Sequence, residues 1–279
     1  MLNEILDKNG LQPMEPIPTA LQPSGRIYSH LHCRRFDVYG TLLISGSGDV
    51  GTAMQAVQDD ARLKELLLTF NIDRSPARVL DDFFSAIADH HSRLKASGID
   101  YPEVNIDRIW MQVLGLPCRH TARAFALAFE LIANPVYPMP GLRQLMQKGR
   151  ECCCLGIISN AQFYTPLLLE RCLDASLENT GFAKDLLIFS YQMEYAKPSD
   201  HLFQVAESRL EKRGILPSAT LYVGNDMLND ILPAQRIGFK TALFAGDKRS
   251  LRLRPDDARC EDIVPDIIVT DLLQLVEYL

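Results

Sequence analysis

The stretch Phe36-Asp37-Val38-Tyr39-Gly40-Thr41-Leu42 decides the reading of this chain. It closes the short strand pattern His32–Val38, and the turn Tyr39-Gly40-Thr41 follows at once. Arg34 and Arg35 give that strand more arginine than a fully buried one ordinarily tolerates.

Working outward, the sequence after Pro138-Met139-Pro140-Gly141 alternates between strand and helix patterns. Strands are predicted at Cys153–Ser159, Leu186–Ser190, Thr220–Gly224, Lys240–Phe244 and Asp266–Val269. Helices are predicted at Tyr164–Leu173, Asp200–Lys212, Asn229–Arg236 and Leu272–Leu279. Such alternation implies a parallel sheet covered on both faces. Between the Asp37 strand and this run, Ala53–Phe70, Ala77–Ala96, Val104–Leu114 and Ala122–Ala133 carry apolar residues at helical spacing. Ser75-Pro76 supplies a cap with proline at the first helical position. Four helices without strands predict an inserted bundle. The fold class is therefore α/β: a Rossmann-like parallel sheet over residues 30–47 and 137–279, with an α-helical bundle cap over 48–136. Residues 1–29, spotted with Pro13, Pro16, Pro18 and Pro23, read as an extension that wraps the body or is partly mobile.

In open parallel sheets, ligands bind beyond the carboxyl ends of the strands. The strands here end in Asp37, in Ser159-Asn160, in Lys197-Pro198 across a short loop, and in Gly224-Asn225-Asp226 with Asp230 one turn on. Each tip alone has a bland explanation as a strand end or helix cap. Four polar tips on four successive strands argue for a catalytic site.

The series Asp37–Leu42 (Asp-x-x-Gly-Thr-Leu), Ile158-Ser159-Asn160, Lys197-Pro198 and Val223–Asp230 resembles the four motifs of the haloacid dehalogenase (HAD) superfamily, in order and spacing. The resemblance implies that Asp37 is a nucleophile forming an aspartyl intermediate. It implies that Lys197 holds the transferred group and the Asp37 carboxylate, that Ser159 and Asn160 bind substrate, and that Thr41 orients Asp37. A Mg²⁺ ion would be held by Asp37, the Tyr39 backbone carbonyl and Asp226, with Asp230 and Asn225 in support. Motif spacing leaves Asn225 and Asp226 as alternatives for the metal-facing position, and Asp226 is favoured for its carboxylate. Most members are phosphatases, so the expected function is Mg²⁺-dependent hydrolysis of a small phosphorylated metabolite.

One position departs from the phosphatase pattern. The second aspartate that such enzymes use as acid and base is Tyr39 here, a poor base at neutral pH. Asp49 is a candidate substitute. Asp-x-Tyr-Gly-Thr-Leu is instead what 2-haloacid dehalogenases show. Those enzymes replace the acidic pair that this chain keeps at Asp226, and they carry a tyrosine where Phe203 stands. Their halide-binding arginine has no clear match, although Arg62 and Arg74 are available. A third reading is a HAD-like binding protein with little turnover.

Composition bounds the rest. The chain has 279 residues and a net charge of −6, which leaves no basic excess for a nucleic-acid partner. No apolar run reaches the roughly 20 residues of a membrane span. Seven cysteines, without a Cys-x-x-Cys pair, read as buried free thiols of a reducing compartment, so a cytoplasmic protein is expected. The expected partner is a small molecule. His90-His91 and the cluster Arg249, Arg252 and Arg254 read as solvated, and Trp110 with Phe125 and Phe129 reads as bundle core.

Overall fold

The computed structural model describes residues 2–47 and 61–279. Asp49 and the expected start of the first cap helix at Ala53 lie outside the described residues. The strands are β1 (Ser24–Gly25), β2 (Cys33–Phe36), β3 (Leu43–Ser45), β4 (Val136–Pro138), β5 (Cys154–Ser159), β6 (Phe182–Phe189), β7 (Thr220–Gly224), β8 (Lys240–Phe244) and β9 (Ile267–Val269). Seven of them form one sheet in the order β1-β9-β8-β7-β2-β5-β6. Every pairing in it is parallel except β1 with β9.

Parallel strands bury both faces, and the period-two alternation of side chains sorts residues between them. Leu221 and Val223 of β7 join one core cluster, and Tyr222 between them joins the other. Helices α1 (Leu2–Asn9), α2 (Ala61–Thr69), α3 (Pro76–Ala96), α4 (Ile106–Leu114), α5 (Arg119–Ala133), α6 (Leu142–Cys152) and α7 (Thr165–Leu173) precede the short α8 (Ser190–Met193), α9 (Asp200–Glu211) and α10 (Leu232–Arg236). Helices α6 and α7 supply Leu142, Leu145, Leu168 and Leu169 to the first cluster. Helices α9 and α10 supply Leu202, Phe203, Ala206 and Ala234 to the second.

The two arginines of β2 separate by the same alternation. Arg34 donates from Nε to the Tyr278 carbonyl at 2.7 Å and so ties down the chain end. Arg35, fully buried, donates to the Ala206 carbonyl at 3.5 Å through Nη2 and lies beside the Cys33 thiol, while no oxygen accepts from its Nε and Nη1. Burial lowers its pKa.

Helices α2 to α5 stand between β3 and β4, which pair antiparallel: Leu43 with Pro138, Ile44 with Tyr137, and Ser45 with Val136. The expected cap boundary at residue 136 thus falls inside a strand that the sequence pattern does not reveal. Ser75 caps α3, accepting from Arg78 N at 3.4 Å. Trp110 stacks on Phe83 at 4.0 Å, and Phe125 and Phe129 pack on it at 4.8 Å each. The buried Asp107 clamps α4 to α5 by accepting from Arg119 Nε at 2.7 Å and Arg123 Nε at 2.8 Å.

Residues 1–29 contribute α1, a strap and the edge strand β1. The strap crosses the loop after β8. Ile17 N donates to Asp247 Oδ1 at 3.2 Å, Thr19 Oγ1 to the Ala245 carbonyl at 2.8 Å, and Lys248 N to the Ile17 carbonyl at 2.8 Å. Among the described residues, no helix is long and apolar enough to cross a membrane. All seven cysteines are free, but only Cys33, Cys172 and Cys260 are buried, so the expectation of buried thiols holds for three of them.

Candidate active site

The sheet register gathers the polar tips. Phe36 pairs with Ile157 on one side and Val223 on the other, so Asp37 emerges level with the ends of β5 and β7. Its backbone N–H donates to the Val223 carbonyl at 2.9 Å. Lys197 comes over the same edge, because Asn160 grips its backbone from both sides. Asn160 Oδ1 accepts from Lys197 N at 2.7 Å, and its Nδ2 donates to the Lys197 carbonyl at 3.2 Å.

The buried Lys197 ammonium donates to Asp37 Oδ1 at 2.7 Å and Asp230 Oδ1 at 2.5 Å. Tyr222 OH stands 3.2 Å from Nζ, 3.0 Å from Asp230 Oδ1 and 2.8 Å from the Ile158 carbonyl. Burial alone would lower the lysine pKa, but the two carboxylates hold it above its ordinary value, so Lys197 stays charged. Burial pushes Asp230 up to about 7, against the pull of Lys197. Asp230 Oδ2 accepts the backbone N–H groups of Asn225 and Asp226 at 3.0 Å each, which fixes the turn after β7. Asp37 lines the cavity, and its second oxygen accepts no hydrogen bond among the described residues.

That cavity, about 650 Å³, lies between the strand ends and the cap. Its floor includes Asp37, Lys197, Asn225 and Asp226, and Phe83, Phe84, Ile87, Val104, Ile106 and Phe129 line the rest with apolar surface. Drug-sized ligands occupy pockets of this size and character.

Other residues singled out from the sequence take different places. Ser159 is fully buried, and its hydroxyl reaches only the Asn160 carbonyl, at 3.4 Å. The Thr41 hydroxyl donates to Asn225 Oδ1 at 3.0 Å, so it positions Asn225 and not Asp37. Tyr39 OH pairs with Thr165 Oγ1 at 2.9 Å, and burial, with Glu130 nearby, raises its pKa well above the phenol range. Arg74 is committed to Asp82 and to the Val113 carbonyl at 2.7 Å, and Arg62 is exposed on α2. Neither lines the cavity.

Three groups at the site carry no clear mark in the sequence. The sequence pattern marks Tyr222 only as part of a strand, although its place two residues before Gly224 puts its hydroxyl beside Lys197. His91, read as solvated, lines the cavity with an unpartnered, buried Nε2. Arg252 and Arg254, read as solvated loop, also line it. Arg254 donates from Nη2 to Asp226 Oδ2 at 2.6 Å and from Nε to Asp226 Oδ1 at 3.1 Å.

This pair bears on the expected Mg²⁺, whose ligands are oxygens with lone pairs to spare. Asp226 Oδ1 already accepts from Leu228 N at 2.9 Å and Asn229 N at 3.2 Å, and Oδ2 from Asn229 Nδ2 at 2.9 Å. With the guanidinium added, both oxygens are committed, and the Asn225 oxygen is taken by Thr41. Among the described residues, no group of three or more His, Cys, Asp or Glu is arranged to hold a metal ion. The donor set in this arrangement does not fit Mg²⁺.

Comparison with known proteins places this geometry. A curated relative, the rhythmically expressed gene 2 protein of Drosophila melanogaster, is 31% identical over 112 residues, which are 38% of this chain and 40% of the relative. The chain therefore matches well under half the length of that protein. The 2-haloacid dehalogenase from Pseudomonas syringae pv. Tomato DC3000 has a similar fold, with a TM-score of 0.55 and 19% identity over 89% of this chain and 97% of that one. The HAD phosphatase from Thermococcus onnurineus compares at a TM-score of 0.51 and 18% identity over 88% and 97%. At these identities the likeness is one of fold. The sequence model of the haloacid dehalogenase-like hydrolases matches residues 36–238, from the strand of Asp37 through the Asp230 turn, and this chain belongs to that family.

Proposed function

We propose that this hydrolase acts on its substrate by attack of the Asp37 carboxylate, passing through a covalent intermediate on that side chain. The observation that carries the reading is the position of Asp37: one oxygen held by Lys197 at 2.7 Å, the other facing a cavity large enough for a small organic molecule. A carboxylate so fixed is pre-oriented for attack. Lys197, charged and anchored by Asp230, neutralises negative charge developing on the transferred group. The attack expels the leaving group as an anion and leaves an aspartyl phosphate, or on a carbon-centred substrate an ester, on Asp37. Water then cleaves it, releasing phosphate or the hydroxy acid and restoring the Asp37 carboxylate, and the proton from water passes to solvent.

A phosphoric monoester of a small metabolite is the first substrate class, restricted by what Tyr39 lacks. With the Tyr39 hydroxyl spent on Thr165, nothing at that position protonates a leaving group. The preferred substrates are therefore aryl or acyl phosphates, whose leaving groups depart as stable anions. A second reading, displacement at carbon in a 2-haloacid, is favoured by the commitment of Asp226 to Arg254, because halide also leaves unprotonated. A small-molecule substrate and a cytoplasmic location complete the proposal, the free cysteines agreeing with a reducing compartment. The apolar cavity walls suit a substrate with an organic body and one anionic end.

The test is an activity panel on the full chain: p-nitrophenyl phosphate, acetyl phosphate, an alkyl phosphate and 2-chloropropionate, each in EDTA and in Mg²⁺. Turnover of an activated phosphate or the haloacid, lost in Asp37→Asn, and an adduct on Asp37 by mass spectrometry support the reading. Inertness toward all four, with no adduct, overturns it in favour of a binding protein.

A further inference from the structure

We propose that Arg254 is the built-in cation of this site: its guanidinium, docked on Asp226, takes the place of a divalent metal ion, and the site needs none. The proposal goes beyond the hydrolase reading and does not depend on turnover.

Three observations converge. The first is the contact itself, a side-on, two-point pairing of guanidinium with carboxylate at 2.6 and 3.1 Å. Arginine makes this pairing better than any other side chain, because its planar fork matches the two oxygens. Asp226 is largely buried, at 9% side-chain exposure, so the pair is only partly screened by water.

The second is how firmly the chain delivers that arginine. Its loop is laced to the turn that carries Asp226: Arg252 N donates to the Asn225 carbonyl at 2.9 Å, and Met227 N to the Arg252 carbonyl at 2.9 Å. Asn225 Nδ2 adds a bond to the Ser250 carbonyl at 2.6 Å. Arg254 itself adopts φ 55°, in the left-handed region that favours glycine and strains a residue with a side chain. A loop that only needed to turn would place glycine there. The strain is retained where it aims the guanidinium at Asp226.

The third is charge balance at the rim. Among the described residues, each cation of the strand-end rim that the ion pairs show rests on a carboxylate, Lys197 on Asp37 and Asp230, and Arg254 on Asp226. A dication entering beside Asp226 would meet a guanidinium on the same carboxylate and would have to displace it. In an arrangement poised for metal, those carboxylates would instead be left in excess.

The experiment is equilibrium binding of Mn²⁺ to the full chain, followed by the electron paramagnetic resonance of the free ion. Wild type, Arg254→Gln, Arg254→Lys and the double variant Arg254→Gln/Asp226→Asn are compared, with circular dichroism reporting fold. The expected result is weak binding by wild type and by Arg254→Lys, which keeps a cation. Binding tightens by about tenfold or more in Arg254→Gln, a change of roughly 1.4 kcal/mol, and the double variant loses the gain. Tight wild-type binding that is lost in Arg254→Gln/Asp226→Asn overturns the proposal, as does a folded Arg254→Gln that binds no better than wild type. Because the readout is the metal, an inactive protein leaves this result standing, and an active one does not supply it.

Discussion

Gly224 and Asp230 are packed so closely that a Cβ on the glycine would stand 2.3 Å from the aspartate's carboxyl carbon. The absence of a side chain at the end of β7 is what lets the Asp230 carboxylate lie back under Lys197. Gly224→Ala must push Asp230 outward, carrying off one of the two anions that hold the ammonium. Turnover is expected to fall about a hundredfold, the scale of a misplacement near 1 Å. Steady-state kinetics with a parallel melting curve checks this, and a soluble, folded variant with unchanged kcat would refute it.

Thr41→Val retains shape and removes only the hydroxyl that serves Asn225. The amide oxygen is then left buried without its donor, at a cost of about 1–3 kcal/mol. Urea denaturation at neutral pH measures the loss. A stability equal to wild type would mean that another donor reaches Asn225.

Arg35→Met is expected to act in the opposite direction. The wild-type guanidinium is fully enclosed, and no oxygen accepts from two of its nitrogens. An unbranched apolar chain of similar length removes that desolvation cost, for a gain of roughly 1 kcal/mol or more. A lower urea midpoint in the variant would show that the buried charge is compensated.

The acids that line the cap side of the cavity give the fold a pH dependence. Burial raises the pKa of both Glu103 and Glu130, although Ser190 pulls the first down and Tyr164 and Asn134 the second. In the unfolded chain such groups titrate near about 4.3. Above that value and up to the raised one, the folded state holds more protons than the unfolded state, so stability falls as pH rises. Glu130→Gln removes one of these groups. Its stability relative to wild type should therefore climb as pH is raised above the ordinary glutamate value, until the raised folded-state value is passed. Denaturation midpoints across that range test the slope, and a constant difference would contradict it.

The sheet was legible because β5 and β7 are short, mostly apolar runs followed at once by polar residues, Asn160 after Ser159 and Asn225 after Gly224. The ladder β3–β4 and the edge β1 were not. They span two or three residues each, too short for periodicity, and Ser24-Gly25 is exposed and carries no apolar mark at all. Asp37 and Lys197 could be paired from the sequence because each follows a strand of the same sheet. Arg254 could not, because its partner lies 28 residues upstream, and what brings them together is a loop laced to Asn225 through backbone atoms. Backbone pairing of that kind leaves no trace in residue type. The partner of Thr41 is Asn225 and not Asp37, a choice that depends on which way a buried amide turns.

The antiparallel ladder also bears on how such a molecule comes to have its present size. Ser45 and Val136 are direct partners, so the chain leaves this two-stranded ladder and returns to it at neighbouring points. Everything between them is, in connectivity, one long hairpin loop. Its length could change, or its contents be exchanged for another substrate, without altering the register of any strand that carries Asp37, Lys197 or Asp230.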